Sequence, residues 1–192
     1  VTMERQPQAR AGQVEIVDVP PRPFLMADGT GDPNTSPESR EAVEALYTLR
    51  SLLRKRGVNE KVGPLEGLWW ADDMMQFSVD RKGNWNWTMM IALPEAATLK
   101  EVEAAWAAAA HRKPLPRVRL EMYDEGLCAQ VLHIGPYSAE GSAIERLHAF
   151  ISERGGTLTG THHEIYLGDP NRAAPEKLRT IIRRPFTRGG TV

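Results

Sequence analysis

The chain has one cysteine, Cys128, among its 192 residues. A lone cysteine excludes an internal disulfide and a cysteine-based zinc site, and it suits a reducing compartment such as the cytoplasm. Charge of one sign is not in excess either: 24 Lys and Arg against 25 Asp and Glu leave a net charge of -1. Binding to a phosphate backbone needs a basic surplus or stripe, so no direct nucleic-acid contact is expected. Long hydrophobic runs are absent: the longest near-pure one, Ala104 to Ala110, is far short of a membrane span. The opening residues up to Val19 are polar and contain no signal-like apolar stretch. What remains is a composition of 41% hydrophobic and 26% charged residues, which is that of a globular domain.

Periodicity then divides the chain. Residues 1–13 carry Gln, Arg, Pro and Gly without pattern and read as a tail, while Val14 to Val19 alternates as a strand does. A short apolar stretch, Phe24 to Asp28, leads into Gly29-Thr-Gly31-Asp-Pro33. Ser36 and Pro37 then mark an N-cap and first helical position. Val43, Leu46, Tyr47, Leu49 and Leu53 share one face of the helix that follows, which ends at Lys55-Arg56-Gly57. Two strand-like runs, Leu68 to Val79 and Trp85 to Leu93, flank the turn composition Asp80-Arg-Lys-Gly83. Thr98 and Glu101 form a capping box for a second helix, stopped before Pro114 and Pro116. Val118 to Tyr123 and Leu127 to Ile134 flank Asp124-Glu125-Gly126 and predict another hairpin. Tyr137 to Arg154 predicts a third helix, and His163 to Leu167 and Thr180 to Arg184 the last strands.

The order strand, glycine loop, helix, Arg-Gly, strand, strand occurs twice. Phe24-Leu-Met26 through Arg56-Gly57 parallels Val131-Leu-His133 through Arg154-Gly155. Gly67-Leu-Trp69-Trp70 likewise parallels Glu164-Ile-Tyr166-Leu167. The expected architecture is therefore α+β: tandem strand-helix-strand-strand repeats with antiparallel sheets, helices on one face and a ligand groove between the halves. The folded domain is placed at residues 14–188, with pseudo-repeats of about 14–113 and 114–188.

Two features bear on function. Trp69, Trp70, Trp85 and Trp87 fall on one predicted hairpin with Met74, Met75, Phe77, Met89 and Met90. Trp85, Trp87 and Met89 share a face by the strand period, so they form either a wall for flat apolar or cationic ligands or ordinary core. In His162-His163-Glu164-Ile-Tyr166, alternation puts Glu164 and Tyr166 on one face and His163 and Ile165 on the other. Glu164 is a surface residue if that face is wet and a functional one if it lines a cavity. The adjacent histidines point to opposite faces and cannot chelate one metal, so no metal site is expected. Gly29-Thr-Gly31 lacks the remainder of a dinucleotide or P-loop signature and reads as a turn. Cys128 reads as a small core residue.

The stretches Val131-Leu-His133-Ile-Gly135-Pro136-Tyr137, His163-Glu164-Ile-Tyr166-Leu-Gly-Asp169-Pro170 and Ala174-Pro175-Glu176-Lys-Leu178, with Pro64-Leu-Glu66-Gly67-Leu-Trp69-Trp70, resemble the GyrI-like small-molecule-binding family. The resemblance runs from about Pro20 to Phe186. It implies a tandem strand-helix-strand-strand fold and a drug-binding groove lined by aromatics around a central carboxylate, which by motif is Glu164. Some family members are effector domains of multidrug-sensing activators, normally preceded by a helix-turn-helix that does not fit before Val14. Stand-alone members similar to this chain in the Trp-Trp and His-Glu-Ile-Tyr motifs are cyclopropanoid cyclopropyl hydrolases, which open the strained ring of DNA-alkylating natural products. The founding member inhibits DNA gyrase through protein contact.

These resemblances imply a protein without cofactor that binds a planar hydrophobic or cationic small molecule. Ring opening by water needs a base, a donor at the carbonyl oxygen and a flat slot. Glu164 suits the base and Tyr137 or Tyr166 the donor. Trp69, Trp70, Trp85, Trp87 and Met89 suit the slot, and Glu66 and Glu121 are candidate second carboxylates. A purely binding protein for lipophilic cations would use the same carboxylate and aromatics, and a gyrase-inhibitor-like protein would use a protein surface instead. The sequence leaves the oligomeric state open.

Overall fold

Local sequence sets the helices. In the computed structural model, which describes residues 8–58, 63–71, 84–111 and 116–189, Pro37 opens α1 (Pro37–Lys55) behind Ser36, whose side chain makes no capping bond. Gly57 accepts a φ of 100° just past its end, where a side chain would be strained. Thr98 and Glu101 close a complete capping box on α2 (Leu99–Ala110). A 3-10 turn at Tyr137–Ala139 precedes α3 (Gly141–Glu153), so the third predicted helix starts as a tighter turn. Nine strands complete the described residues: β1 (Glu15–Val19), β2 (Arg22–Thr30), β3 (Leu65–Ala71), β4 (Trp85–Ala92), β5 (Arg119–Tyr123), β6 (Gly126–Ile134), β7 (Thr157–Leu158), β8 (His162–Tyr166) and β9 (Arg179–Thr187). The fold is α+β, as the sequence predicts. The remainder of the run predicted to Val79, its turn at 80–83, and Met74, Met75 and Phe77 lie outside the described residues.

The chain forms two compact units, residues 21–123 and residues up to 20 together with those from 124 onward. In the contiguous unit the strand order is β5-β2-β4-β3, with every pair antiparallel. In the other it is β1-β6-β9-β8, again antiparallel, and the short β7 lies on β9. Removing β5 and β1 leaves β2-β4-β3 and β6-β9-β8, the same order of first, third and second strand. The internal repeat is thus visible as topology.

The predicted hairpin across Asp124-Glu125-Gly126 does not form. Strand β5 pairs with β2 and β6 pairs with β1, so the Asp-Glu-Gly segment links two units instead of turning one strand onto its neighbour. Residues 8–13, read from sequence as a tail, are also tied down. Gly12 N–H donates to Leu132 O, and Gln130 Nε2 donates to Gln8 O.

Each unit buries both faces of its sheet. In the contiguous unit, Phe24, Met26, Leu68, Met90 and Ala92 cluster on one face with Trp70 and Tyr123 at the margin. The other face carries Leu25, Ala27, Trp87 and Ile91, all fully buried, and α1 packs along β2 and β4. In the discontinuous unit, α3 places Ala143, Leu147 and Ile151 on Ala129, Val131, Ile182 and Phe186. The opposite face holds Leu132, Ile165 and Ile181.

Candidate functional site

Strand alternation builds the site on β8. His162, Glu164 and Tyr166 project to one side, and Glu164 sits directly opposite Ile182 of β9, whose side chain belongs to the α3 face. Both carboxylate oxygens of Glu164 accept hydrogen bonds: Oε1 from His162 Nε2 at 2.9 Å and Oε2 from the Tyr166 hydroxyl at 2.8 Å. Tyr137, in the 3-10 turn before α3, meets the Tyr166 ring edge to face, with centroids 5.6 Å apart. The sequence-predicted trio Glu164, Tyr166 and Tyr137 is therefore assembled in one place.

Burial pushes the Glu164 carboxyl up. The hydrogen bond and charge of His162, the Tyr166 hydroxyl and the charge of His163 outweigh it and hold the group below the usual carboxylate range. Glu164 is accordingly an anion at neutral pH. Its side chain keeps 15% exposure and Tyr137 keeps 37%, so the group is not fully sealed from solvent. From α3, His148 faces the same cluster. Burial, with the positive charges of Arg184 and His162, pushes its imidazole down and keeps it neutral.

The opposite face of β8 carries a second histidine-carboxylate pair that the sequence reading missed. His163 Nδ1 donates to Glu125 Oε1 at 2.8 Å, and Arg183 donates to Glu125 Oε2 at 2.9 Å. Arg183 also donates twice to Gln130 Oε1, and Gln130 Nε2 donates to Glu15. The Glu125 side chain is 1% exposed. Burial raises its pKa, but the charges and hydrogen bonds of His163 and Arg183 more than offset this and bring it down to about 2. This network is closed, whereas the Glu164 group is partly open. The available signal was the His-His dipeptide itself, which puts one imidazole on each face of a strand. Glu125 was hidden by its turn-like neighbours. Cys128, beside this network, has its thiol pushed up to about 12 by burial and then by Glu125, so it is inert packing.

The tryptophans separate by strand parity. Trp69, Trp85 and Trp87 share one face of the β3–β4 pair, where Trp69 is paired with Trp87. The Trp69 and Trp85 rings meet at 5.6 Å and 62°. Trp87 is fully buried over Gly29 and Met89 lies behind it in register, so these two pack as core. Trp70 points to the other face, against the Phe24 cluster. On that same face Glu66, opposite Met90, is buried. Glu121 is half exposed and ion-pairs with Arg119, which also pairs with Asp28. Among the described residues no group of three or more His, Cys, Asp or Glu is arranged to hold a metal. No helix described is long and apolar enough to cross a membrane.

Two repeated units, each a helix on an antiparallel sheet, with a donor-held carboxylate on one of them, describe a small-molecule-binding fold. The family comparison agrees: the GyrI-like small molecule binding domain matches residues 12–186, and the chain belongs to that family. Three solved structures from Listeria innocua are similar over nearly the whole chain. One is an uncharacterized conserved protein, 35% identical with a TM-score of 0.84, covering 93% of this chain and 94% of its own. The others are each described as a hydrolase and are 34% identical. Their TM-scores are 0.81 and 0.80, with 92% and 93% of this chain covered and 93% and 94% of theirs. No curated protein matches the chain significantly.

Proposed function

We propose that this protein binds planar hydrophobic molecules at the Glu164 site and hydrolyses reactive cyclopropanoid DNA-alkylating natural products, as a cytoplasmic detoxification or self-resistance enzyme. The observation that carries this reading is the Glu164 carboxylate, ionised, partly open and fixed by a donor on each oxygen. The similarity to two hydrolases at 34% identity supports a hydrolytic step.

In the reaction, Glu164 takes a proton from water as the water oxygen attacks the cyclopropane methylene. The strained carbon–carbon bond breaks, and its electron pair moves through the conjugated dienone to the carbonyl oxygen, giving a phenolate that is then protonated. A carboxylate held below its usual pKa is a weak base, so the driving force comes from strain release and aromatisation, with Glu164 supplying position and charge. The Tyr166 hydroxyl already donates to Glu164. Tyr137, more exposed and edge to face with Tyr166, is assigned as the donor to the developing oxyanion. The edge-to-face Tyr137 and Tyr166 rings beside the carboxylate offer an aromatic surface for the flat drug.

A non-catalytic reading, capture of lipophilic cations, is supported by the donors on both Glu164 oxygens, which hold its carboxyl below the usual carboxylate range. Incubation with a spirocyclopropyl dienone, followed by chromatography and mass spectrometry, separates the two. Wild-type protein is expected to yield the water-added phenol and Glu164→Gln to yield little or none. Unchanged drug with the wild type would sink the hydrolase reading and leave binding alone.

A further inference from the structure

Tyr166 and His162 grip the two oxygens of the same carboxylate. His162 is buried, lies two residues before Glu164 on the same face of β8, and directs Nε2 at Oε1 from 2.9 Å. An ionised carboxylate oxygen can only accept, so Nε2 must carry the proton of that contact. His148 of α3, kept neutral by burial and by the charges of Arg184 and His162, faces His162.

We propose that His162 is the positioning residue of the Glu164 site, its Nε2–H holding Oε1 so that the carboxylate is fixed in one orientation. Tyr166 alone would anchor only Oε2 and leave the group free to rotate about that bond. With both oxygens held, the lone pairs that remain are presented in one direction. A glutamine at 162 can set its amide nitrogen where Nε2 stands, whereas a leucine removes the donor and keeps the bulk.

The inference rests on Glu164 as the working carboxylate, but its first two tests need no substrate. The imidazole nitrogen spectrum of the wild type is expected to show a protonated Nε2 at His162 at neutral pH. A carboxyl-carbon titration of Glu164 should show a midpoint at least about tenfold higher in proton affinity in His162→Leu, and one near wild type in His162→Gln. An unprotonated Nε2, or a midpoint unmoved in the leucine variant, would overturn the proposal. If the leucine variant loses its near-ultraviolet dichroism, the wild-type spectrum decides alone. With the spirocyclopropyl dienone, His162→Leu should lose about tenfold or more in kcat with little change in KM, and His162→Gln should recover most of it. Absent turnover in the wild type with the expected titration would defeat the hydrolase reading and leave the positioning role standing. Turnover with an unmoved titration would do the reverse.

Discussion

Single residues show how a local reading of sequence succeeds or stops. Gly29 and Gly31 together read as a turn, but only Gly31, with a φ of 85°, turns the chain. Gly29 is inside β2, paired with Trp87, and a β-carbon there would fall within the indole. Gly29→Ala is therefore expected to lower stability by about 1–3 kcal/mol through overpacking, measured as a fall in the urea midpoint. An unchanged midpoint would mean that Trp87 can swing away. Glu164 was legible because its alternation with Tyr166 is a property of any strand. Its burial was not legible, since that depends on α3, whose docking no short window of sequence reveals. His162 was passed over because adjacent histidines were weighed as metal ligands and not as partners for a carboxylate two positions away.

At the scale of elements, local signals carried the helices and misled on one pairing. The Thr98–Glu101 box forms as written, with Thr98 Oγ1 accepting from Glu101 N–H at 3.3 Å and Glu101 Oε2 accepting from Thr98 N–H at 2.8 Å. Thr98→Ala should cost about 1 kcal/mol and lower the thermal midpoint by a few degrees, whereas Thr98→Ser should be close to neutral. The β3–β4 pairing and the twice-occurring order strand, helix, strand, strand were readable from spacing, whereas the sheet orders β2-β4-β3 and β6-β9-β8 were not. The Asp124-Glu125-Gly126 segment has every residue of a tight turn, yet it joins strands that pair elsewhere. Turn composition specifies a bend and leaves the partner open, and here β5 takes β2 and β6 takes β1 as its neighbour. The same segment supplies Glu125 to the buried network, a role that an exposed turn residue would never take.

For the whole molecule, that network sets the response to acid. Glu125 has a folded pKa of about 2 against an ordinary value of 4.5. A depressed carboxyl pKa means stability fully present above the ordinary value and lost as pH falls from there toward about 2. The loss amounts to something on the order of 3 kcal/mol. Urea midpoints are expected to hold steady down to pH of about 5 and to drop steeply below it. Glu125→Gln should show a lower plateau and a shallower acid limb. A limb as steep as that of the wild type would assign the acid loss to other carboxylates. One further consequence follows from the strand pairing. Val19 stands opposite Gly126 and Arg22 opposite Tyr123, so residues 21–123 are an insertion in the chain between the paired strands β1 and β6 of the other unit. Strand β1 is synthesised more than a hundred residues before its partner β6. It therefore waits, unpaired, while the entire inserted unit is made, and closing that long loop is a late step in folding.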